Sequence, residues 1–276
     1  MLCDYHMHSH YSDDSDYDME QVVKDSIALG LDEICFTDHV DYGIKADHDG
    51  IDVRGIEGRW NVDYPSYAAE IASLKKKYAG QITIKMGLEF GMQTHTIADF
   101  EKLYKRYDFD FIILSCHQAE DKEFWTYEFQ KGRTVKEYTE KYYEEILDVM
   151  ENYKDYSVLG HLDSINRYDR GESYPFEKIK PLLTKILERA IADGKGIEVN
   201  TSSFRYGVPD LTPSRDILRL YKELGGSIIT VGSDSHAPGY PGSHIAEVRE
   251  ELAQMGFDQI CTYEKMRPRF HPMAEN

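Results

Sequence analysis

Short β-rich runs alternate with amphipathic stretches along the 276 residues, and this alternation constrains the fold more than any other feature. The strand-like runs lie at 2–8, 33–39, 82–90, 109–117, 156–163, 196–202 and 227–236. Helix-like stretches, with apolar residues spaced three and four apart, cover 19–30, 67–80, 135–153, 176–194, 213–226 and 243–256. Pro181 is expected to break the stretch at 176–194 or to delay its start. The alternation indicates parallel βαβ units, arranged as an open sheet or as a closed barrel.

Each strand-like run ends at or beside a polar side chain that is capable of chemistry. These side chains are His6 and His8, His39, Glu89, His117, His161, Asn200 with Arg205 just beyond it, and Asp234 with His236. In a parallel α/β barrel the carboxyl ends of all strands surround one mouth, whereas an open sheet cannot bring every strand end to one point. The sequence therefore predicts an α/β fold, a distorted TIM-like (β/α)7 barrel that residues 1–276 form as one domain.

The polar side chains at the first and last strands form two pairs with the same spacing. His6 and His8 are two positions apart, as are Asp234 and His236, so each pair projects to one face of its strand. Closing the barrel makes these strands neighbours and puts the pairs side by side. One histidine here could be an ordinary core or rim residue, but six histidines with three carboxylates predict a metal centre. The nine candidate ligands are His6, His8, Asp14, His39, Glu89, His117, His161, Asp234 and His236.

The number and type of these ligands limit the metals. A catalytic zinc-like ion takes about three protein ligands and keeps an open position, so nine ligands suit about three ions with one carboxylate bridging two. Imidazole and carboxylate ligands without cysteine suit zinc, manganese or iron, and the sequence does not choose among these divalent transition metals.

Composition restricts the partners. The formal net charge of -18 argues against binding of nucleic acid, because phosphate backbones need clustered Lys and Arg. The same charge would repel a small phosphate ester unless a local cationic site reverses the field. No apolar run approaches the roughly 20 residues that span a bilayer, so no membrane association is expected. The four cysteines are far apart and form no CxxC pair, which predicts reduced thiols in a cytoplasmic protein.

The ordered motifs HMH, TDH, GLEF, SCH, GHLD and GSDSH resemble those of the polymerase and histidinol phosphatase (PHP) family over essentially the whole chain. The resemblance implies a distorted (β/α)7 barrel with up to three metals at its C-terminal face. It implies a first metal held by His6, His8, Glu89 and Asp234, a second held by Glu89, His117 and His161, and a third held by Asp14, His39 and His236. Many members carry a histidine where Asp14 stands, and Asp13 or Asp16 could take its place.

Within the family, the chain is most similar to the monofunctional phosphatases that act on histidinol phosphate, by its length, its extra loops and two arginine-bearing segments. The segments GHLDSINRY (160–168) and NTSSFRYG (200–207) place Arg167 and Arg205 just past the fifth and sixth strands. One arginine alone is more often an ion-pair partner on the surface. Two arginines at the mouth of a metal site indicate binding of a phosphate substrate by bidentate hydrogen bonds.

The resemblance implies hydrolysis of histidinol phosphate by a hydroxide that bridges two metals and attacks phosphorus in line. Glu89 would bridge the metals, Arg167 and Arg205 would help to neutralise the phosphate oxygens, and Asp234 or His236 could protonate the leaving oxygen. No Ser or Asp phosphoenzyme motif is apparent, so direct hydrolysis is expected. The alternatives are a phosphatase for another small phosphate, such as a nucleotide bisphosphate, and a non-catalytic metal-binding module.

Two insertions, 40–66 and 118–133, follow the second and fourth strands and should overhang the mouth. They carry Trp60, Trp125 and many carboxylates, and an aromatic, acidic pocket would suit an amino alcohol with an imidazole. Solvated surface loops with packing aromatics are an equal alternative. The other five histidines are predicted to be ordinary surface or rim residues, namely His10, His48, His95, His244 and His271.

Overall fold

The computed structural model describes residues 1–53, 56–169, 171 and 173–273. Its main sheet contains β1 (Cys3–Met7), β2 (Glu33–Phe36), β3 (His39–Val40), β4 (Thr83–Gly91), β5 (Phe111–Ser115), β8 (Val158–Leu159), β9 (Gly196–Asn200) and β10 (Ile229–Gly232). The hydrogen-bonded order is β1-β2-β4-β5-β8-β9-β10, with β3 added along β4, and every pairing is parallel. The predicted α/β barrel of seven strands is confirmed.

Hydrogen bonds just past the strand ends nearly close this sheet. The His8 amide donates to the Ser235 carbonyl at 2.8 Å, and the Asp234 amide donates to the His6 carbonyl at 2.8 Å. The first and last strands are therefore neighbours, which is the arrangement that puts His6 and His8 beside Asp234 and His236. The same closure brings the backbone of the segment after β10 against the end of β1.

Helices surround the barrel between the strands. They are α1 (Met19–Ala28), α2 (Tyr64–Lys77), α3 (Ile97–Tyr104), α4 (Val135–Asn152), α5 (Phe176–Ala192), α6 (Ser202–Tyr206), α7 (Arg215–Glu223) and α8 (Ile245–Gln254), with 3₁₀ turns at Thr94–Thr96, Phe124–Thr126 and Ser164–Tyr168. α4 begins with a capping box in which Thr134 and Glu137 satisfy each other's amides. None of the helices within the described residues combines the length and the apolar character needed to cross a membrane.

The expectation that Pro181 breaks or delays its helix is wrong, because α5 runs continuously through it. Pro181 lies in the second turn, so only the carbonyl of Glu177, close to the helix start, loses its intrahelical donor. Burial of Ile179, Leu183 and Ile186 along the inner face holds the helix against the barrel. Tertiary packing therefore outweighs the local cost of the proline.

Two hairpins fall outside the alternating pattern. β6 (Gln118–Ala119) and β7 (Lys122–Glu123) form a small antiparallel pair at the mouth, and β11 (Gln259–Glu264) pairs with β12 (Arg267–Pro272) near the C-terminus. Tyr263 on β11 packs against Phe111 at the start of β5, with ring centroids 5.0 Å apart. The Tyr263 amide also donates to the Tyr5 hydroxyl at 2.7 Å. The β11–β12 hairpin thus covers the end of the barrel opposite the predicted metal ligands.

Candidate metal centre

Glu89 lies at the centre of the barrel mouth and is fully buried. Its two carboxylate oxygens lie within 3.5 Å of a ring nitrogen from each of five histidines. The distances are 3.1 Å to His6, 3.5 Å to His8, 2.9 Å to His39, 3.0 Å to His117 and 2.7 Å to His161. Ser115 donates a further hydrogen bond to Oε1 at 2.6 Å. The structure thus brings the ends of four strands, β1, β3, β5 and β8, around one carboxylate on β4.

The first group of ligand candidates comes from β1 and from the segment after β10. The Nε2 atoms of His6 and His8 lie 3.6 Å and 3.4 Å from Oδ1 of Asp234. Asn200 at the end of β9 donates to the other oxygen of Asp234 at 3.3 Å. The two histidines face the same point, as their spacing along β1 predicts.

The second group shares the other oxygen of Glu89. His117, just after β5, and His161, just after β8, both direct Nε2 at Oε1 of Glu89. Glu89 therefore faces the first group with Oε2 and the second group with Oε1. A carboxylate with this placement can bridge two ions.

The third group lies at the outer edge of the mouth. Oδ2 of Asp14 lies 3.6 Å from Nε2 of His39 and 3.4 Å from Nε2 of His236. The neighbouring Asp13 faces Lys45 and Arg59 instead, at 2.5 Å and 3.3 Å, and Asp16 is exposed. Of the three aspartates in this loop, Asp14 is therefore the one that the structure places beside the histidines.

The electrostatics of the centre keep its carboxylates ionised. Burial raises the pKa of Glu89 and of Asp234, but the surrounding histidines outweigh this and hold both pKa values well below the usual range. Burial lowers the pKa of His6 and His39, yet the neighbouring carboxylates raise both well above the usual range. Burial and two adjacent histidines lower the pKa of His8. Metal binding at His6 and His39 therefore competes with protonation of their rings.

Buried polar atoms without a hydrogen-bond partner test whether metals fit here. Within the described residues, these atoms include Nε2 of His6, Nε2 of His8, Nδ1 of His39 and Oε2 of Glu89. The three nitrogens lie within 3.5 Å of Oε2, but without the angles of a hydrogen bond. Buried polar atoms in folded proteins are almost always paired, so four such atoms at one point need an explanation. One ring nitrogen or carboxylate oxygen from each residue lies within 4.8 Å of the others in the groups His6–His8–Asp234, His6–Glu89–His161 and His8–His39–His236. This donor set fits several divalent transition metals.

Two of the metal-ligand candidates lie on strained backbone. His161 has a φ of 22° and Asp234 has a φ of 55°, in a region of backbone conformation that residues other than glycine rarely adopt. Both residues lie directly past a barrel strand, and the amide of each is held by a hydrogen bond to another strand. Strain of this kind concentrates at functional sites, where the surrounding structure enforces it.

Several buried carboxylates that the sequence analysis did not select support the ligands. Asp41 accepts a hydrogen bond from Nδ1 of His117 at 2.8 Å and lies 2.9 Å from the Lys45 amine. Asp38 accepts from Ser12 at 2.8 Å, and Ser12 contacts Nδ1 of His8 at 2.9 Å. Asp41 also lies close enough to His39 and His117 to act as a ligand itself. The signal was available for Asp41, since it follows His39 by two residues, as His8 follows His6.

Six of the nine metal-ligand candidates line a cleft of about 630 Å³, namely Asp14, His39, His117, His161, Asp234 and His236, whereas His6, His8 and Glu89 are fully buried. Arg167 lies in the cleft wall, donates to Ser202 at 3.1 Å and covers the ring of Tyr206 at 4.1 Å. Arg205 binds instead to the backbone carbonyls of Ser233 and Asp234, at 3.3 Å and 2.8 Å. The described residues that line the cleft include Arg167 and do not include Arg205.

Both predicted insertions contribute to the cleft wall. The first, of which residues 54 and 55 lie outside the described part, supplies Lys45 and Arg59. The second supplies Glu123, Phe124, Trp125 and Tyr127, and Trp125 is 57% exposed. Arg59 joins the two insertions through an ion pair with Glu123 at 2.6 Å. Trp60 is not among the described lining residues and packs near His48.

The other histidines have local partners away from the cleft. His48 contacts the Ile51 carbonyl, His95 contacts Asp121, His244 contacts Glu247 and His271 contacts Thr262. His10 lies past the end of β1, with its ring against Tyr11. None of the five lines the cleft among the residues that the structure covers.

Comparison with known proteins places this geometry in a family. The sequence model of the PHP domain matches residues 4–202. The chain is 33% identical over 267 residues to the histidinol-phosphatase of Lactococcus lactis subsp. lactis (strain IL1403), covering 96% of this chain and 95% of that protein. It is 28% identical to the probable histidinol-phosphatase of Thermotoga maritima, covering 94% and 95% of the two chains.

Solved structures agree with the sequence comparison. The crystal structure of the Lactococcus lactis histidinol phosphate phosphatase in complex with zinc, L-histidinol and phosphate superposes with a TM-score of 0.86. That protein is 31% identical to this chain, and the match covers 97% of this chain and 98% of the other. The putative histidinol phosphatase of Listeria monocytogenes has the same fold, with a TM-score of 0.68 at 20% identity, covering 86% and 98% of the two chains.

Proposed function

The chain belongs to the PHP-domain family, and on this premise we propose that it is a metal-dependent phosphomonoesterase that hydrolyses histidinol phosphate to histidinol and phosphate. The observation that carries the proposal is the cluster of six histidines at the barrel mouth, five of which surround Glu89, with buried nitrogens left unpaired. The relative of known structure binds zinc, L-histidinol and phosphate. A small phosphate ester is accordingly the substrate class, in a reaction of histidine biosynthesis.

The proposed metal ligands follow the three groups in the mouth. His6, His8, Glu89 and Asp234 would hold one ion, and Glu89, His117 and His161 a second. Asp14, His39 and His236 would hold a third ion. The ionised state of Glu89 and Asp234 supports this assignment, as do the distances of 2.7 to 3.6 Å between carboxylate oxygens and ring nitrogens within the groups. When bound, divalent metals supply Lewis acidity toward phosphate oxygens and lower the pKa of water.

The remaining chemistry belongs to the chain itself. Arg167 in the cleft wall presents a planar guanidinium that suits two phosphate oxygens at once. Arg205 would act on the same region by holding the backbone of Asp234 through the two carbonyls that it binds. Asp234 and His236 lie 3.5 Å apart. His236 could deliver a proton to the leaving oxygen of the ester, whereas Asp234 is held ionised and could do so only after it takes up a proton.

The part of the cleft wall that the second insertion forms suits the alcohol part of the substrate. Trp125, Tyr127 and Phe124 offer aromatic surface beside the carboxylates of Asp13 and Glu123. Both carboxylates are ion-paired with Arg59, so the aromatic rings are the surface on which a molecule with an imidazole can stack. This surface favours histidinol phosphate over an ester without an aromatic group.

Turnover of a panel of phosphate esters tests the proposal. The protein, loaded with zinc or with manganese, should release phosphate from histidinol phosphate with a higher kcat/KM than from a nucleotide bisphosphate or a sugar phosphate. A higher kcat/KM for a nucleotide bisphosphate would reassign the substrate. Absence of phosphate release from every ester by metal-loaded protein would instead indicate a non-catalytic metal-binding module.

Two further properties are proposals of the same kind. We propose a cytoplasmic location, which is supported by four buried free thiols. We also propose that residues 1–276 form one domain, which is supported by the packing of the C-terminal β11–β12 hairpin on the barrel. Residues 274–276 lie outside the described part of the chain.

A further inference from the structure

Glu198 on β9 is a buried carboxylate inside the barrel, directly beneath the metal centre, and it is 1% exposed. Its oxygen Oε1 accepts a hydrogen bond from Nδ1 of His6 at 2.6 Å. Its other oxygen accepts one from the backbone amide of His161 at 2.9 Å. One side chain therefore contacts two ligand candidates, of which His6 faces Oε2 of Glu89 and His161 faces Oε1.

The close approach of Glu198 to His6 depends on the absence of a side chain at Gly232. A Cβ on Gly232 would lie 2.7 Å from Oε1 of Glu198 and 2.3 Å from Cβ of His6. A Cβ on Gly160 would lie 2.4 Å from the Ser115 hydroxyl, which itself donates to Glu89, but 3.7 Å from Oε2 of Glu198, an ordinary contact. The two distances from Gly232 are shorter than real contacts, so a side chain there would push Glu198 and His6 apart. The close approach of Glu198 to His6 is thus a built feature of the barrel.

A buried carboxylate is costly, and packing alone does not require one at this position. Removing an ionised carboxylate from water costs several kcal/mol unless partners compensate, and an apolar side chain would fill a barrel interior at lower cost. The polar partners of Glu198 are His6, the His161 amide and Asn200, whose amide lies 3.3 Å from Oε2. All three belong to the metal centre or adjoin it.

The bond to Glu198 decides which nitrogen of His6 carries the proton. A carboxylate can only accept, so Nδ1 of His6 must donate, and in the neutral ring the lone pair then lies on Nε2. Nε2 is the atom that faces Glu89 and Asp234 and has no hydrogen-bond partner. A carboxylate on the far nitrogen of a ligand histidine fixes its orientation and raises its basicity toward the metal.

We propose that Glu198 is the positioning residue of the metal centre: it orients Nε2 of His6 toward one ion and holds the backbone of His161 for the ion on the other side of Glu89. The proposal rests on the metal centre proposed above. It distinguishes Glu198 from Asp41, which contacts a ring nitrogen of one ligand candidate, His117. Loss of Glu198 should therefore weaken the binding of two ions together.

The substitution Glu198→Gln tests the proposal with little change in volume. Glutamine has one acceptor oxygen, so it can serve either His6 Nδ1 or the His161 amide, and the other bond is lost. Zinc content after dialysis and zinc affinity in competition with a chelator are the readouts. We expect zinc affinity to fall by roughly 10- to 100-fold, as is typical when a partner of a ligand histidine is lost.

Glu33→Gln is the matched control. Glu33 is also a buried glutamate on a barrel strand, but it binds the Tyr5 hydroxyl on the side of the barrel away from the mouth. It should change thermal stability without changing zinc affinity by more than about twofold. Equal zinc affinities for the wild type and Glu198→Gln would overturn the proposal, as would an equal loss in Glu33→Gln.

A second measurement needs no variant. In zinc-loaded wild-type protein labelled with ¹⁵N-histidine, NMR should show His6 protonated at Nδ1 and metal-bound at Nε2. Protonation at Nε2 would overturn the proposal even if Glu198→Gln failed to fold. If the wild type binds no zinc, the proposed metal centre itself fails; if it binds zinc and the variant binds it equally well, only the role of Glu198 fails.

Discussion

Replacing Glu89 by glutamine should remove the charge that joins the first two metal groups. The carboxylate lies within 3.5 Å of five histidines, with Oε2 toward His6 and His39 and Oε1 toward His117 and His161. Glutamine keeps the shape of the side chain but removes its negative charge. Its amide hydrogens would face imidazole nitrogens or metal ions, where only an acceptor is useful.

The size of the effect follows from the charges. At an effective dielectric of about 20, a unit charge about 4 Å from a dication contributes about 8 kcal/mol, twice the value for two unit charges. Desolvation of the buried carboxylate offsets much of this, so we take about 3 to 4 kcal/mol as the net loss per ion. Since about 1.4 kcal/mol is a factor of ten, affinity for each of two ions should fall roughly 10²- to 10³-fold.

Metal analysis and phosphate release measure the two consequences separately. After dialysis against dilute chelator, Glu89→Gln should retain about two fewer ions per chain than the wild type. It should also release phosphate from histidinol phosphate at a rate near background. Glu144→Gln, at an exposed position of α4, is the control and should match the wild type in both assays. Unchanged metal content in Glu89→Gln would refute the reasoning that this carboxylate bridges two ions.

Three further outcomes follow from the same geometry. Arg167→Ala should raise KM for histidinol phosphate roughly 10- to 100-fold with unchanged metal content, since a hydrogen bond to a charged group contributes about 1.5 to 3 kcal/mol; an unchanged KM would remove Arg167 from phosphate binding. In protein from which a chelator has removed metal, burial lowers the pKa of His117, but Glu89 and Asp41 raise it to about 9. Protonated His117 therefore contributes fully to the free energy of unfolding below about pH 6.5, and this contribution is lost as pH rises through about 9. Urea unfolding of chelated Asp41→Asn between pH 6 and 9.5 should therefore show a flatter decline than the wild type, and an equally steep decline would contradict this. Burial raises the pKa of all four thiols, so a thiol reagent at pH 8 should label none of the cysteines in folded protein and all in denaturant; labelling of folded protein would contradict their burial.

The sequence predicted the barrel and its mouth because both depend on short-range periodicity. The two-residue repeat of a strand is sufficient to place His6 and His8 on one face, and the alternation of strands and helices is sufficient to give the order of the strands in the barrel. The same two-residue repeat could have identified Asp41, two residues after His39, and Glu198, two residues before Asn200. These acids support the ligands from within the barrel, and their partners are revealed only when distant strands are brought together.

Local signals failed where tertiary packing decides the structure. Pro268 and Pro272 argue against a strand, yet β12 contains both, because it is an edge strand whose missing amides cost no ladder bonds. Helix α3 has eight residues between β4 and β5, too short for its periodicity to stand out. Arg205 has the position of a phosphate ligand in the sequence, but its guanidinium binds backbone carbonyls past β10. The destination of a long side chain is not encoded in its position along the chain.

The acidic chain and its anionic substrate can be reconciled by the charge balance at the mouth. A net charge of -18 repels phosphate at long range, but salt screens that repulsion beyond about 8 Å at physiological ionic strength. At short range, the three carboxylates among the proposed ligands, Asp14, Glu89 and Asp234, would carry three negative charges against the six positive charges of three divalent ions, so the ions and these ligands together would be positive. Lys45 and Arg59 form ion pairs with Asp13. Arg167 contacts the Ser202 hydroxyl and the Tyr206 ring, which do not neutralise its charge, so that charge is available to a phosphate in the cleft. We therefore expect the affinity for phosphate to decrease as metal is removed, although the overall charge of the chain is unchanged. Measuring phosphate affinity at increasing zinc loading would show this.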